Sequence, residues 1–545
     1  MDHRGRRWAV TTAVAVCALV AAACGRSAPV PGHASPVKGL VTVTPAGTKT
    51  VPSVVWRTYR NVDSLDPAFS IDFPEYTAVS LMCESLLRQA PDGSLQPGLA
   101  TVANPNPTTM VFTLRPGVKF WNGHPVTPAD VVYSLNRNTD PKLGGFYRAV
   151  FNRVASITAT GPAQVTIRLK QPDYWLEGEL SSMPGVIIEK SFAQKEGKNY
   201  GTPAGSIMCT GAYKLQFWTS GQDVAAVRNP NYWNPTVRPL IDKITIEGVP
   251  SITDFTSGLL TGAIQGGYIF AALPTLDQLK ASSAVRVYEG PSLVTGALAV
   301  SSLKGVLGDP RVRRALSLAL DRQAIVNSIY QGAALMPRWL SNPGTFGYGK
   351  PVFAAAYNSS PVLSHNVAEA KKLVKQAGAT GKTFTIGTSS QLSNISAVTG
   401  DYQAAAQAIG LKVVLKSVSA QNYINFFTDP KARAGIDGFL TVNYGDYADP
   451  AALLSTLVLP GGSQNYTNFN NPKITADLEN ARSTASLNKR AALVADAQKL
   501  TMQQLPWIPN VQPTSLLLLS KGLTGAVASF AYMFAPWADS LGGSG

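Results

Sequence analysis

Apolar and polar positions follow two periods along the chain, with short period-2 runs interleaved among longer helical ones. Val54 to Tyr59, Met110 to Leu114, Gln164 to Leu169 and Ile244 to Glu247 are rich in Val, Ile and Thr at a spacing of two and predict strands. Helices are predicted over Thr77 to Leu87, Pro128 to Arg137, Asp309 to Gln331, His365 to Ala377, Gly400 to Ile409, Ile474 to Ser483 and Leu487 to Gln504. The second helix has its start written out. Thr127 is a capping residue, Pro128 suits the first helical position, where no N–H is needed, and Asp130 stands in the first turn. Mixed elements in this order predict an α/β protein with several sheets, and no repeat of fixed period is present.

The pattern breaks most sharply at the N-terminus. Arg4, Arg6 and Arg7 precede an uncharged apolar run from Trp8 to Ala23, which ends in small residues before Cys24. That run is shorter than the roughly 20 residues that span a bilayer, so residues 1–24 are expected to be a secretory signal and not a permanent anchor. Val20-Ala21-Ala22-Ala23-Cys24 resembles a lipobox, with Ala21 in place of the usual Leu or Val. The resemblance implies cleavage before Cys24 and a diacylglycerol on its thiol. From Gly25 to Pro52 the chain is Pro, Gly, Ala, Ser, Thr and Val with almost no charge, and 25–52 is expected to be a flexible tether.

Composition narrows the class. With 545 residues, 45% hydrophobic and 14% charged, the chain buries a large core and is too long for one compact domain. Lys plus Arg exceed Asp plus Glu by 47 to 32, but the basic residues are scattered singly, so no nucleic-acid partner is expected. Setting Cys17 and Cys24 aside with the signal leaves Cys83 and Cys209. In an oxidising compartment these two are expected to form a disulfide, the alternative being two buried thiols.

Catalytic motifs fail on their own chemistry. Gly344 to Lys350 has the spacing of a phosphate-binding loop, but Pro351 stands where a Ser or Thr must meet magnesium. Ser301-Ser302-Leu303-Lys304 supplies the S-x-x-K of penicillin-recognising hydrolases. Every Lys followed by Ser or Thr, however, lacks the glycine that the third box of those enzymes requires. There is no G-x-S-x-G, no H-E-x-x-H and no pair at zinc spacing, so neither an enzyme nor a metal or redox cofactor is expected.

Eight blocks carry the function. Ser64-Leu65-Asp66-Pro67 is followed by Cys83-Glu84-Ser85-Leu86-Leu87 and by Asp92 to Ala100 (DGSLQPGLA). Leu114 to Val131 reads LRPGVKFWNGHPVTPADV. Thr210 to Leu215 (TGAYKL), Arg228 to Trp233 (RNPNYW), Val312 to Leu316 with Asp321-Arg322, and Asp446-Tyr447-Ala448-Asp449-Pro450 come next in order. Over about Val54 to Gly525 the chain resembles the peptide and dipeptide solute-binding family of ABC importers. The resemblance implies a two-lobed periplasmic-binding-protein fold with an extra domain inserted in the first lobe. It places lobe I near 53–78, 206–300 and 510–545, the inserted domain near 79–205 and lobe II near 301–509. Most matched blocks are scaffold, and Arg313 with Asp321 is expected to be a structural ion pair.

The implied protein is a monomeric lipoprotein on the outer face of the cytoplasmic membrane, handing a short oligopeptide to an ABC permease. A peptide enclosed between lobes needs its α-ammonium paired, since an unpaired buried charge costs several kcal/mol. The resemblance gives that role to Asp446, with Asn443, Tyr444 and Gly445 beside it. Ile71, Asp72 and Phe73 fall where the first lobe meets the peptide backbone. Asn443 replaces a pocket Trp of oligopeptide binders, and Ala420 stands near another. No Arg occurs in Ser389 to Ser393, where dipeptide binders hold the ligand carboxylate, which favours peptides longer than two residues. Haem or another cargo on the same fold is the alternative, with His124 and His365 the only histidines in the body.

Overall fold

The computed structural model describes residues 39–389 and 393–545; the signal, Cys24 and the first part of the expected tether lie outside them. Two large sheets form two lobes. The first has seven strands, in spatial order Val285–Gly290, Ser515–Ser520, Gly266–Ile269, β1 (Val51–Thr58), Ile241–Gly248, Asp223–Arg228 and Tyr213–Trp218. β1 runs parallel to both its neighbours, and the remaining pairs are antiparallel. The second has six strands, in order Ala334–Leu335, Trp507–Pro513, Thr295–Val300, Gly438–Asn443, Thr383–Thr388 and Lys412–Ser417. The chain passes between the sheets at 291–294 and at Thr514. The boundaries expected at 300/301 and 509/510 therefore fall at the end of one strand of the second sheet and inside another.

Each sheet closes its own core. Trp56, Ile244 and Trp537 are buried in the first, and Leu316, Phe439 and Trp507 in the second. A third core lies under a four-stranded antiparallel sheet of Ala100–Asn106, Thr109–Leu114, Gln164–Leu169 and Val154–Gly161. Helix α2 (Pro128–Arg137) covers it, burying Val131 and Leu135. Its start is the one that the sequence predicts. The Thr127 hydroxyl accepts from the Asp130 N–H, while the Asp130 carboxylate accepts from the Thr127 N–H at 2.9 Å. Gly123, at φ +88°, closes the preceding turn by donating its N–H to Phe120 O.

Helix α1 (Phe73–Met82) begins earlier than expected, because Asp72 caps it and Pro74 sits in its first turn. It ends at Cys83, whose extended backbone leads into the Cys83–Cys209 disulfide. The bond lies next to the Gly211 N–H to Met82 O hydrogen bond, an approach so close that a Cβ at 211 would meet that oxygen at 2.3 Å. The bridge closes a sequence separation of 126 residues. Replacing both cysteines by Ser should lower unfolding stability by about 2 to 5 kcal/mol, read from the urea midpoint, whereas an unchanged midpoint would show that the bond adds nothing.

Three expectations are corrected. The stretch expected to be a tether is docked from Val41 onward. Val41 N–H bonds Glu289 O, Thr44 bonds the backbone of Gly525 and Ala526, and Gly47 N–H bonds Ser540 O. The helix expected over Asp309 to Gln331 breaks at Leu320, which is extended. Arg322 drives the break by reaching Pro509 O at 2.7 Å and Ser317 O at 2.6 Å, while Asp321 caps a new turn at Ala324 N. Arg313 does not pair with Asp321. Its guanidinium instead takes up free carbonyls at helix ends, Gln504 O at 2.8 Å and Leu307 O at 2.8 Å.

Candidate functional site

The site forms where the strand Gly438–Asn443 ends. Asp449, whose carboxylate accepts from Ala451 N–H at 2.8 Å, starts the helix Pro450–Val458, and the short turn between strand and helix carries Tyr444, Gly445 and Asp446. Gly445 allows close packing, since a Cβ there would lie 2.9 Å from that of Ala452. Gln89 clamps the turn from outside, donating to Asp446 O at 3.2 Å and accepting from Ala448 N–H at 3.1 Å.

Asp446 faces helix α1. The Tyr76 hydroxyl lies 2.9 Å from its Oδ1 and 2.7 Å from the Tyr147 hydroxyl, which in turn donates to Ser70 O. Three contacts need three protons, and two tyrosines supply two. The third is present only when Asp446 itself is protonated. Burial pushes its carboxyl up to about 6, with the Tyr76 hydrogen bond opposing. No Lys or Arg among the described residues pairs with Asp446. It is thus a half-buried carboxylate with a hydroxyl partner and, among the described residues, no counter-charge.

The other expected site residues are turned toward the protein. The Asp72 carboxylate accepts from Phe73 N–H at 2.8 Å, from Arg60 at 2.9 Å and from the Tyr59 hydroxyl, so it serves the cap of α1. Phe73 stacks on Phe270 and packs 4.7 Å from the ring of Tyr444. Tyr444 links the turn after the strand Gly438–Asn443 to the segment before α1 by donating its hydroxyl to Ile71 O at 3.1 Å. Asn443 is buried, donating its amide to Gln464 and accepting from Tyr444 N–H at 2.9 Å. Ala420 opens the helix Ala420–Tyr423, and Ser390 to Leu392 lie outside the described residues. His124 binds Glu189 at 2.6 Å and His365 lies 3.7 Å from Asp321.

Tyr76, Gln89 and Tyr147 were not legible as site residues. They sit at separations of 370, 357 and about 300 positions from Asp446, and no local pattern marks them. Among the described residues no group of three or more His, Cys, Asp and Glu is arranged to hold a metal ion.

The model of the bacterial extracellular solute-binding proteins, family 5 (its middle part), matches residues 94–465. The periplasmic murein peptide-binding protein MppA of Escherichia coli is 28% identical over 489 residues, 85% of this chain and 88% of that protein. The glutathione-binding protein GsiB of Salmonella typhi is 28% identical over 431 residues, 76% of this chain and 80% of that protein. In structure, the chain is similar to the periplasmic binding protein DppA of Helicobacter pylori in complex with the peptide STSA. That likeness has a TM-score of 0.79 and 20% identity, and it covers 91% of this chain and 99% of that one. The likeness extends to the oligopeptide-binding protein AppA of Bacillus subtilis in complex with a nonapeptide, at TM-score 0.77 and 16% identity over 91% and 100% of the chains. With two lobes, an inserted domain and the family pattern matched through the turn of Asp446, this chain belongs to family 5 of the bacterial extracellular solute-binding proteins.

Proposed function

We propose that the protein captures a short peptide, longer than two residues, between its lobes outside the cytoplasmic membrane and delivers it to the permease of an ABC importer. The observation that carries this reading is Asp446, a half-buried carboxylate whose only side-chain partner among the described residues is a tyrosine hydroxyl. A peptide's α-ammonium is the cation that such a group lacks, and charge-assisted hydrogen bonds of this kind are about twice as strong as neutral ones. The named ligands of MppA, GsiB and the two structural relatives are peptides, which supports the same cargo here.

In this reading Tyr76 and Tyr147 position the carboxylate. Asn443, Tyr444, Gly445, Asp72 and Phe73 shape the space around it and bear no ligand charge. Cys24 carries the lipid that holds a monomer at the membrane. The division of the chain follows the sheets: lobe I takes 41–78, 206–290 and 515–545, the inserted domain 79–205 and lobe II 295–513. Native mass spectrometry of protein exported by its host and purified without added ligand should show mass excesses that fragment as peptides. A retained species of haem or metal-chelate mass with no peptide would overturn the cargo.

A further inference from the structure

Glu179 ends a short helix, α3 (Leu176–Glu179), that rides on the turn of Asp446. Gly178 permits the approach, since a Cβ there would lie 2.3 Å from the ring of Tyr447. No described residue donates a hydrogen bond to the Glu179 carboxylate. Arg482 acts on it at longer range, but that guanidinium is committed to Asp173 at 2.8 and 2.5 Å and lies over Trp175. An independent observation stands beside it. Tyr447, whose ring packs on Gly178, is only 5% exposed, yet its hydroxyl is buried without a partner among the described residues. Groups serving the fold are paired when buried, so the unpaired Tyr447 hydroxyl, packed under the helix that presents the half-buried Glu179 carboxylate, points to a ligand.

We propose that Glu179, with the Tyr447 hydroxyl, forms a second cation subsite beside Asp446 that selects peptides with a lysine or arginine side chain at the first or second residue. The inference rests on the peptide reading. After the α-ammonium is placed on Asp446, the next positive group of such a peptide lies within a side chain's length of it, and Glu179 is the acidic group left to meet it. Burial, and then the charge of Asp446, hold the Glu179 carboxyl well above the ordinary range, a cost that an incoming cation relieves.

Titration calorimetry with trialanine, Lys-Ala-Ala and Ala-Lys-Ala tests this on wild type and on Glu179→Gln, an isosteric change whose melting curve is recorded alongside. Glu179→Ala repeats the comparison. At least one lysine peptide should bind wild type about tenfold or more tighter than trialanine, and Glu179→Gln should abolish that preference while leaving trialanine within about threefold. Trialanine binding as tightly as both lysine peptides would overturn the subsite and leave the peptide reading standing. So would an equal loss for all three peptides in Glu179→Gln, because Glu179 would then help to hold the α-ammonium. Absence of binding by any of the three would remove the peptide reading and the subsite with it.

Discussion

Asp446→Asn should weaken peptide binding at least about thirtyfold, the equivalent of about 2 to 5 kcal/mol for one partner of a buried, hydrogen-bonded charge pair. The amide keeps the shape and the contact with Tyr76 but loses the charge. The unliganded variant should be at least as stable as wild type at pH 7. A carboxyl whose folded value is raised to about 6 adds stability at low pH, and that contribution is lost as pH rises through 6, so removing it costs nothing above that point. Wild-type affinity should be highest between about pH 6 and about pH 8, where the peptide's α-ammonium begins to lose its proton, and should fall as pH drops below 6, because the ammonium requires the ionised carboxylate and the proton must leave on binding. The Asn variant should show no such fall. Equal affinity of the two proteins at pH 7 would remove Asp446 from the site.

Arg482→Ala should destabilise the fold by about 3 to 5 kcal/mol, the usual cost of stranding one half of a buried ion pair. The Asp173 side chain is 0% exposed and Arg482 11%, and the two meet through paired N–H donors. Arg482 closes the helix Pro472–Arg482, and Asp173 precedes α3, so the pair fixes the segment that carries Glu179. Urea unfolding reads the loss. The Asp173→Asn, Arg482→Met double variant should recover most of it, since no bare charge remains. A midpoint shift for Arg482→Ala worth less than about 0.5 kcal/mol would place the pair among ordinary surface contacts.

Local signals were enough wherever an element writes its own ends. α2, with its cap and proline, and Leu487–Gln504, capped by Ser486, fall where the periodicity puts them. The helix expected over Asp309 to Gln331 has a continuous pattern, and its break depends on Pro509, 187 positions from Arg322. The composition of residues 41–50 reads as tether, but their hydrogen-bond partners lie at 289 and 524–543. Distant partners are invisible to a local window.

The site divides in the same way. Asp446 was reachable because its turn, Asp446 to Pro450, is a matched block. The reason that it can hold a charge was not reachable, because Tyr76, Tyr147 and Gln89 come from three separate segments. Asp72 was expected at the ligand and is occupied by Arg60 and Tyr59, a pairing that becomes visible only when β1 and α1 are packed. Glu179 carried no signal at all, since a Leu-Glu-Gly-Glu-Leu run is ordinary surface helix until Tyr447 is laid against it.

The most direct test of the central claim is calorimetry of the wild-type protein with one tripeptide in two forms, free and N-acetylated, at pH 7. Acetylation removes the cation and leaves the rest of the peptide in place. The free peptide should bind at least about thirtyfold more tightly, because its α-ammonium supplies the counter-charge that Asp446 lacks. Equal binding of the two forms would contradict the account and move a cargo without an ammonium ahead of a peptide.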